Sequence, residues 1–396
     1  VTATEPPAGP GPTPSPDAGP GPAPTPDASP RLEVRGLTVR YGRTTVVDGV
    51  DLHAGAAETL AILGPSGAGK STILAAIAGF LRPAAGEIRV DGRSVVGRGV
   101  NVPPEGRSVG VAFQNGALWP HLTVEQTVAY PLERRGLDPG AVQARTTELL
   151  TDLGIAWLAG RRPAELSGGE QQRTGLARAL ARGAAVYLLD EPTAHLDTAL
   201  KGSLQAQVAD LCRRDGAAVL YATHDVGEAL AVADRVAIVR AGRLVQTGTP
   251  REVYDRPIDA WAAALTGVAS VIEGTAAGYH DGRPTVRLSA WTVGLEEDTG
   301  ASEGAEHLRL MVRPDWVRLG GEVPGRVVAV LFRGSHTDLE LETPVGWITV
   351  REPGPPSVGP GDAVTWHLRR AWALPTPAPG GWSPAGGTAP SRGPGR

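Results

Sequence analysis

Apolar and polar residues alternate through LEVRGLTVRYG from Leu32 onward, the pattern of a strand with one face in a core. Residues 58–63 (ETLAIL) are mostly apolar and read as a buried strand, covered on both faces. They run into a glycine-rich loop and then into apolar positions at helical spacing, Ile73, Leu74, Ile77 and Phe80. Residues 87–90 and 108–113 read as further strands, and 123–135 and 141–153 as helices. Two more continuous apolar runs, 186–189 and 218–221, are separated and followed by helix-like segments at 198–214 and 226–233. Strands alternating with helices predict a parallel α/β sheet.

The texture changes after Gly267. Short alternating segments take over at 285–288, 308–312, 325–332, 338–341, 347–350 and 364–368, with turn residues between them. Six of the nine tryptophans lie beyond residue 267, so this part has its own core, a small all-β barrel. The ends differ again. Residues 1–30 hold eleven prolines and no aromatic residue, and repeat themselves (GPGPTPSPDA, then GPGPAPTPDA). That stretch and the Pro/Gly-rich 375–396 predict extended, disordered tails, because neither can bury enough apolar surface to offset its ordering entropy. The expected plan is a tail at 1–30, an α/β domain at 31–267, a β-domain at 268–374 and a tail at 375–396.

Composition adds exclusions. The net charge of −4 argues against a dedicated nucleic-acid binder, which needs a basic face. The single cysteine, Cys212, excludes a disulfide framework and a cysteine zinc site, and its helical setting predicts a small buried apolar residue. No apolar run reaches the roughly 20 residues that span a bilayer, and no charged-then-apolar leader opens the sequence. The expectation is a cytosolic chain unless it docks on a membrane partner. Lysine occurs only at Lys70 and Lys201, which makes a lysine in a glycine-rich loop stand out.

That loop, Gly64-Pro65-Ser66-Gly67-Ala68-Gly69-Lys70-Ser71 followed by Thr72, fits G-x-x-x-x-G-K-[ST] with a strand before it and a helix after. Gly64, Gly67 and Gly69 let successive N–H groups point inward, and the helix start offers its positive end to phosphate. Lys70 would reach the β- and γ-phosphates, and Ser71 would ligate Mg²⁺. The apolar run at 186–189 ends in Asp190 and Glu191. Asp190 can hold the Mg²⁺ shell, and Glu191 can polarise an attacking water. Together the two motifs predict a nucleoside triphosphatase. Ser167, Gly168, Gly169 and Glu170 open a second helix suited to an anion. One active site needs one phosphate cradle, so the second is read as serving a neighbouring molecule.

Residues 166–173 (LSGGEQQR) resemble the signature sequence of the ABC ATPases, and the resemblance covers about residues 31–266. It implies that Tyr41 stacks on adenine, that Gln114 in FQNGALWPHLTV is the lid glutamine at the Mg²⁺ and the reaction centre, that residues 194–197 (AHLD) form the D-loop, and that His224 in ATHD is the switch histidine at the γ-phosphate. Glu170 stands where many members carry Gln, and His195 is bulkier than the usual D-loop residue. His121 is read as a helix cap. Residues 311–318 (MVRPDWVR) resemble the "RPE" strand of the OB-like TOBE domain appended to importer subunits, with Ser270 where members often have Asn. The resulting expectation is an α/β P-loop NTPase (ABC ATPase) domain followed by a small all-β TOBE domain.

The same resemblance implies ATP and Mg²⁺ as cofactors and a head-to-tail homodimer that sandwiches two ATP molecules. It also implies transmembrane permease subunits pressed by the loop 114–123, a solute-binding protein as an indirect partner, and a peripheral place on the cytoplasmic face of the cell membrane. Importers of this subgroup carry ferric iron, polyamines, sulfate, phosphonate or quaternary amines, and residues 113–124 and 102–105 look most like the iron branch. Two other readings compete. A soluble ABC ATPase acting on DNA or ribosomes would carry a coiled-coil insertion or a second ATPase unit, and neither is present in the sequence. A ligand-sensing regulator would use the β-domain as its active part.

Overall fold

A computed structural model of the protein describes residues 30–113, 116–194, 198–300 and 307–375, the side chains of 198–200 and 203 excepted. Gln114, His195 and Asp197, and the two tails apart from Pro30 and Pro375, lie outside the described residues.

In chain order the first part comprises β1 (Leu32–Tyr41), β2 (Thr44–Ala54), β3 (Thr59–Leu63), α1 (Lys70–Ala78), β4 (Ala85–Val90), β5 (Arg93–Gly97), β6 (Val100–Asn101) and β7 (Val109–Ala112). There follow α2 (Val124–Arg134), α3 (Pro139–Asp152), α4 (Gly168–Ala181), β8 (Val186–Asp190), α5 (Thr198–Arg214), β9 (Ala218–Thr223), α6 (Val226–Val232), β10 (Arg235–Arg240), β11 (Arg243–Gly248), α7 (Pro250–Asp255) and α8 (Ala260–Thr266). The expected parallel sheet runs in the order β11-β10-β3-β9-β8-β7, with β11 alone antiparallel. A second, antiparallel sheet, β2-β1-β4-β5-β6, lies over it. The strand expected at 87–90 belongs there as part of β4, because local alternation carries no information about which sheet a strand joins. Helix α1 is held between the two sheets: Ile73 and Ile77 share one core with Leu32 and Val50 on one side and Val186 and Leu220 on the other. Helices α2, α3 and α4 build a second core with Tyr187 and Leu189, which also encloses Cys212; burial pushes that thiol up to about 12.

Two local expectations need correction. Phe80 does not continue the apolar face of α1, because Gly79 turns left-handed at φ +93° and ends the helix, leaving Phe80 half exposed. His121 does not cap α2. Thr123 does: its hydroxyl accepts the Gln126 N–H at 3.2 Å, and the Gln126 side chain accepts the Thr123 N–H at 3.0 Å.

The remaining chain forms β12 (Ser270–His280), β13 (Arg283–Leu288), β14 (Trp291–Gly294), β15 (Leu308–Val312), β16 (Val317–Phe332), β17 (His336–Thr343), β18 (Gly346–Pro353), β19 (Ala363–Leu368) and β20 (Trp372–Leu374). They make two sheets, β14-β13-β12-β15-β20 and β18-β17-β16-β19, around Leu310, Trp316, Leu339 and Trp366. Ser270 links the two sheets, its hydroxyl accepting the Thr349 N–H at 3.1 Å.

Arg313 fastens this β-part to α7 and α8. Its side chain is fully buried and donates to the carbonyls of Tyr254 (2.7 Å), Ala263 (2.9 Å) and Gly267 (3.1 Å), and to the Thr266 hydroxyl (2.7 Å). Its guanidinium lies 4.1 Å from the Tyr254 ring centre. The helix-end carbonyls of α8 therefore find their donor in the residue just after β15 of the other part. Arg370 with Asp255 (3.1 Å) and the Trp372 indole N–H on the Pro257 carbonyl (3.2 Å) extend the contact. Arg313→Met should cost about 3–5 kcal/mol in chemical denaturation, the scale for leaving several buried acceptors without their charged donor. A loss under about 1 kcal/mol would show that water replaces these bonds at little cost.

Candidate functional site

The site is assembled by strand register. In the parallel sheet Leu63 pairs with Thr223, and Asp190 pairs with Ala222. The chain therefore leaves β3 at Gly64, β8 at Glu191 and β9 at His224, all at one edge, the carboxyl ends of adjacent strands. All residues of β3 and β9 are buried.

The loop after β3 ends at Gly69, the residue that caps α1, and carries Pro65, Ser66 and Gly67 exposed with Gly64, Ala68 and Lys70 buried. Ser71 is exposed and Thr72 half-buried in the first turn of α1. Gly64 has no room for a side chain: a Cβ there would stand 2.4 Å from the Val239 carbonyl oxygen. Lys70 Nζ donates to the carbonyls of Gly64 (2.8 Å) and Pro65 (3.0 Å). Burial lowers its pKa, and the negative fields of Glu191 and Asp190 push it back up.

Ser71 stands next to Lys70 in the first turn of α1, beside the Asp190 carboxylate at the end of β8. Burial raises the pKa of Asp190, while the neighbouring Ser71 hydroxyl and Lys70 oppose the rise. A hydroxyl and a half-buried carboxylate meeting at a phosphate loop are hard oxygen donors, and a divalent cation there would favour the ionised form that burial disfavours. The pair fits Mg²⁺.

Glu191 adopts φ +46°, a left-handed conformation unusual for a non-glycine residue. Its N–H donates to the Ala222 carbonyl (2.9 Å), and its own carbonyl accepts from Gln172 Nε2 (2.8 Å) and the Ala194 N–H (3.2 Å). Its side chain meets His224: Nδ1 and Oε1 are 2.7 Å apart. An ionised carboxylate only accepts, so Nδ1 donates and Nε2 faces outward. Tyr41 is exposed at the end of β1, on the hairpin whose other strand passes the phosphate loop at Val46 and Val47.

Ser167 caps α4, and Gly168 and Gly169 form its first turn. Glu170 closes a capping box: its carboxylate accepts the Ser167 N–H (2.7 Å) and hydroxyl (2.8 Å). Those bonds hold Glu170 below the usual carboxylate range. Among the described residues, none of these four hydrogen-bonds the phosphate loop. Lys70, Ser71, Asp190, Glu191 and His224 come together within one chain.

Three residues were not singled out from sequence. Gln172 lay unremarked inside the run 166–173. Arg178, further along α4, donates to the carbonyls of Ala117 (2.6 Å) and Gly116 (3.1 Å) and lies over Trp119. Gly242, in the turn between β10 and β11, donates to the Ala68 carbonyl (2.9 Å) and accepts the Asp48 N–H (2.9 Å), which wedges the phosphate loop against β2. A short Ala-Gly turn was the only signal for it. A cavity of about 690 Å³ opens between the end of α1, α2 and α4, lined by Phe80, Phe113, Trp119, Tyr130, Arg134 and Arg178.

A phosphate loop, a strand-end carboxylate pair and a second capped helix start on this sheet define an ATP-binding cassette, and the chain belongs to the ABC transporter family of ATP-binding subunits. Residues 47–194 match the family model "ABC transporter", and residues 310–374 match "TOBE domain". The chain is 42% identical over 344 residues to "Fe(3+) ions import ATP-binding protein FbpC 1" of Rhodococcus jostii, covering 84% of this chain and 95% of that protein. It is 38% identical over 355 residues to "Spermidine/putrescine import ATP-binding protein PotA" of Frankia alni, covering 84% and 76%. A solved dimeric post-hydrolysis state of the ATP-binding cassette MJ0796 bound to ADP and Pi superposes with a TM-score of 0.50 at 28% identity, over 56% of this chain and 99% of that one. The chain binds and hydrolyses ATP, and its fold is the cassette followed by a β-rich TOBE domain.

Two turns test the wedge. Ala241-Gly242 (φ +49°, +78°) and Asp91-Gly92 (φ +50°, +73°) share their φ angles, but a Cβ at Gly242 would stand 2.1 Å from the Val46 carbonyl oxygen, and one at Gly92 meets nothing within 4 Å. Gly92→Ala should cost only the left-handed strain, about 1–2 kcal/mol, with ATP affinity unchanged. Gly242→Ala should cost more and weaken ATP binding. Equal effects in urea unfolding and ATP titration would remove the wedge.

Proposed function

We propose that this subunit energises an importer of ferric iron, working as a head-to-tail homodimer on a membrane permease. The observation that carries the hydrolytic part is the convergence of Lys70, the Ser71–Asp190 pair and the Glu191–His224 pair at one sheet edge. The backbone N–H groups of residues 66–72 and the ammonium of Lys70 hold the phosphates, Gly64 and Pro65 shape the loop, and Tyr41 stacks on the adenine. Ser71 and Asp190, with Gln114, would hold Mg²⁺, which spreads the charge of the β- and γ-phosphates. Glu191 orients water and takes its proton as the water oxygen bonds to the γ-phosphorus. The bond from that phosphorus to the β-bridging oxygen breaks, and ADP leaves with the electron pair. His224, already ordered by Glu191, turns its outer edge to the γ-phosphate.

Ser167, Gly168, Gly169 and Glu170 serve the ATP held by the partner subunit. Their helix start is capped, has Ser167 and Gly168 exposed, and makes no hydrogen bond to the chain's own phosphate loop among the described residues. ATP then bridges two half-sites and hydrolysis removes the bridge. The aromatic cavity beside Phe113 and Trp119 suits a protruding segment of the permease. No helix among the described residues is long and apolar enough to cross a membrane, so the permease supplies the path. The subunit sits peripherally on the cytoplasmic face, and a solute-binding protein delivers cargo to the other side. Residues 31–267 are the ATPase part and 268–374 the TOBE part. Relatives named for Fe(3+) import at 42% and 41% identity favour iron over the polyamine named for others.

Glu191→Gln should retain ATP affinity, lose turnover by on the order of 10²–10⁴, and accumulate as an ATP-bound dimer on size exclusion. Turnover within about twofold of wild type would remove Glu191 as the base. For cargo, deleting the gene should abolish uptake of radiolabelled ferric iron and spare that of spermidine. The opposite outcome would overturn the iron assignment.

A further inference from the structure

A buried carboxylate with no part in the hydrolytic steps lies directly behind the Glu191–His224 pair. Glu228, in the first turn of α6, is 8% exposed. Its Oε1 accepts the Thr193 hydroxyl at 2.6 Å and lies 3.4 Å from Lys201 Nζ. Its Oε2 accepts the Thr223 hydroxyl at 2.9 Å and the Tyr221 hydroxyl at 3.3 Å. The Thr193 and Tyr221 hydroxyls also touch each other at 3.1 Å. Thr223 is fixed from its other side, since its hydroxyl oxygen accepts the Asp225 N–H at 2.9 Å.

Burying a carboxylate is costly unless every lone pair is satisfied. Here the donors come from three segments that are separate along the chain. Thr193 lies two residues beyond Glu191, Thr223 immediately precedes His224, and Lys201 belongs to α5. A closed circuit results: Glu191, Pro192, Thr193, across to Glu228, across to Thr223, His224, and across 2.7 Å back to Glu191. An apolar residue at 228 would leave the Thr223 hydroxyl without this acceptor and leave Thr193 only the Tyr221 hydroxyl.

We propose that Glu228 is a positioning residue for ATP hydrolysis. By holding Thr193 and Thr223 on one carboxylate, it sets the separation of Glu191 from His224. Lys201 ties that setting to α5. The inference rests on the reading of Glu191 as base and His224 as the γ-phosphate contact.

The test uses the full chain. Glu228→Gln keeps the size of the side chain, but its amide nitrogen donates, so it cannot accept from both threonines. Turnover should fall by on the order of 10–10²-fold while ATP affinity, from titration with a fluorescent ATP analogue, stays within about twofold, because misplacement of a reacting group is felt in the chemical step. Turnover within about twofold of wild type, or affinity falling in step with turnover, would overturn the proposal. Thr193→Val and Thr223→Val give a second route if Glu228→Gln does not fold. Each should lower turnover at unchanged affinity, and the double variant should lose less than the product of the two. Independent, multiplying effects would also overturn it. Glu191→Gln run beside them separates the two levels. An active Glu191→Gln removes the underlying site reading, and an inactive one beside a fully active Glu228→Gln removes the Glu228 assignment alone.

Discussion

The hydrogen-bond register of β3, β9 and β8 sets everything that happens at the site. Leu63 lies level with Thr223, and Ala222 with Asp190, so the phosphate loop, the carboxylate pair and His224 leave the sheet together. A slip of one residue would turn each buried side chain to the opposite face and carry the three segments out of reach. The register is held by packing, since these strands are covered on both sides and have no polar face to guide them. At the end of β8 the same pairing pulls the Glu191 N–H onto the Ala222 carbonyl. That bond, with those from Gln172 and Ala194, offsets the left-handed strain of about 1–2 kcal/mol that aims the carboxylate at His224.

Helix α4 is the second organising element. Its start carries the Ser167 capping box, Gln172 in its second turn reaches the Glu191 carbonyl, and Arg178 reaches the carbonyls of Gly116 and Ala117 beside the aromatic cavity. One helix thus carries the start proposed to meet a partner's phosphate and contacts the peptide of the proposed base and the wall of the proposed permease groove.

The sequence made the phosphate loop, Asp190, Glu191 and the helix start at Ser167 legible because each chemistry needs neighbouring residues: successive N–H groups, a strand ending in carboxylates, a cap and its helix. The contacts that hold those pieces in place were not legible. Gly242 meets Asp48 across nearly the whole α/β part, Glu228 gathers donors from three segments, and Arg313 reaches back to Tyr254. Each is a lone residue whose partner is set by topology. The misreadings of Phe80 and His121 share another cause: periodicity and local polarity do not reveal where a glycine stops a helix or which of two nearby polar residues takes the cap.

In the proposed dimer each ATP is completed by two chains. Lys70→Ala chains should lose nucleotide affinity, and Ser167→Arg chains should bind ATP without closing; both parents should be nearly inactive. Mixed, they form heterodimers in which one site carries both lesions and the other carries none. ATPase activity should reappear on mixing. Activity that stays at the parental level, in mixtures shown to contain heterodimer, would contradict the shared site.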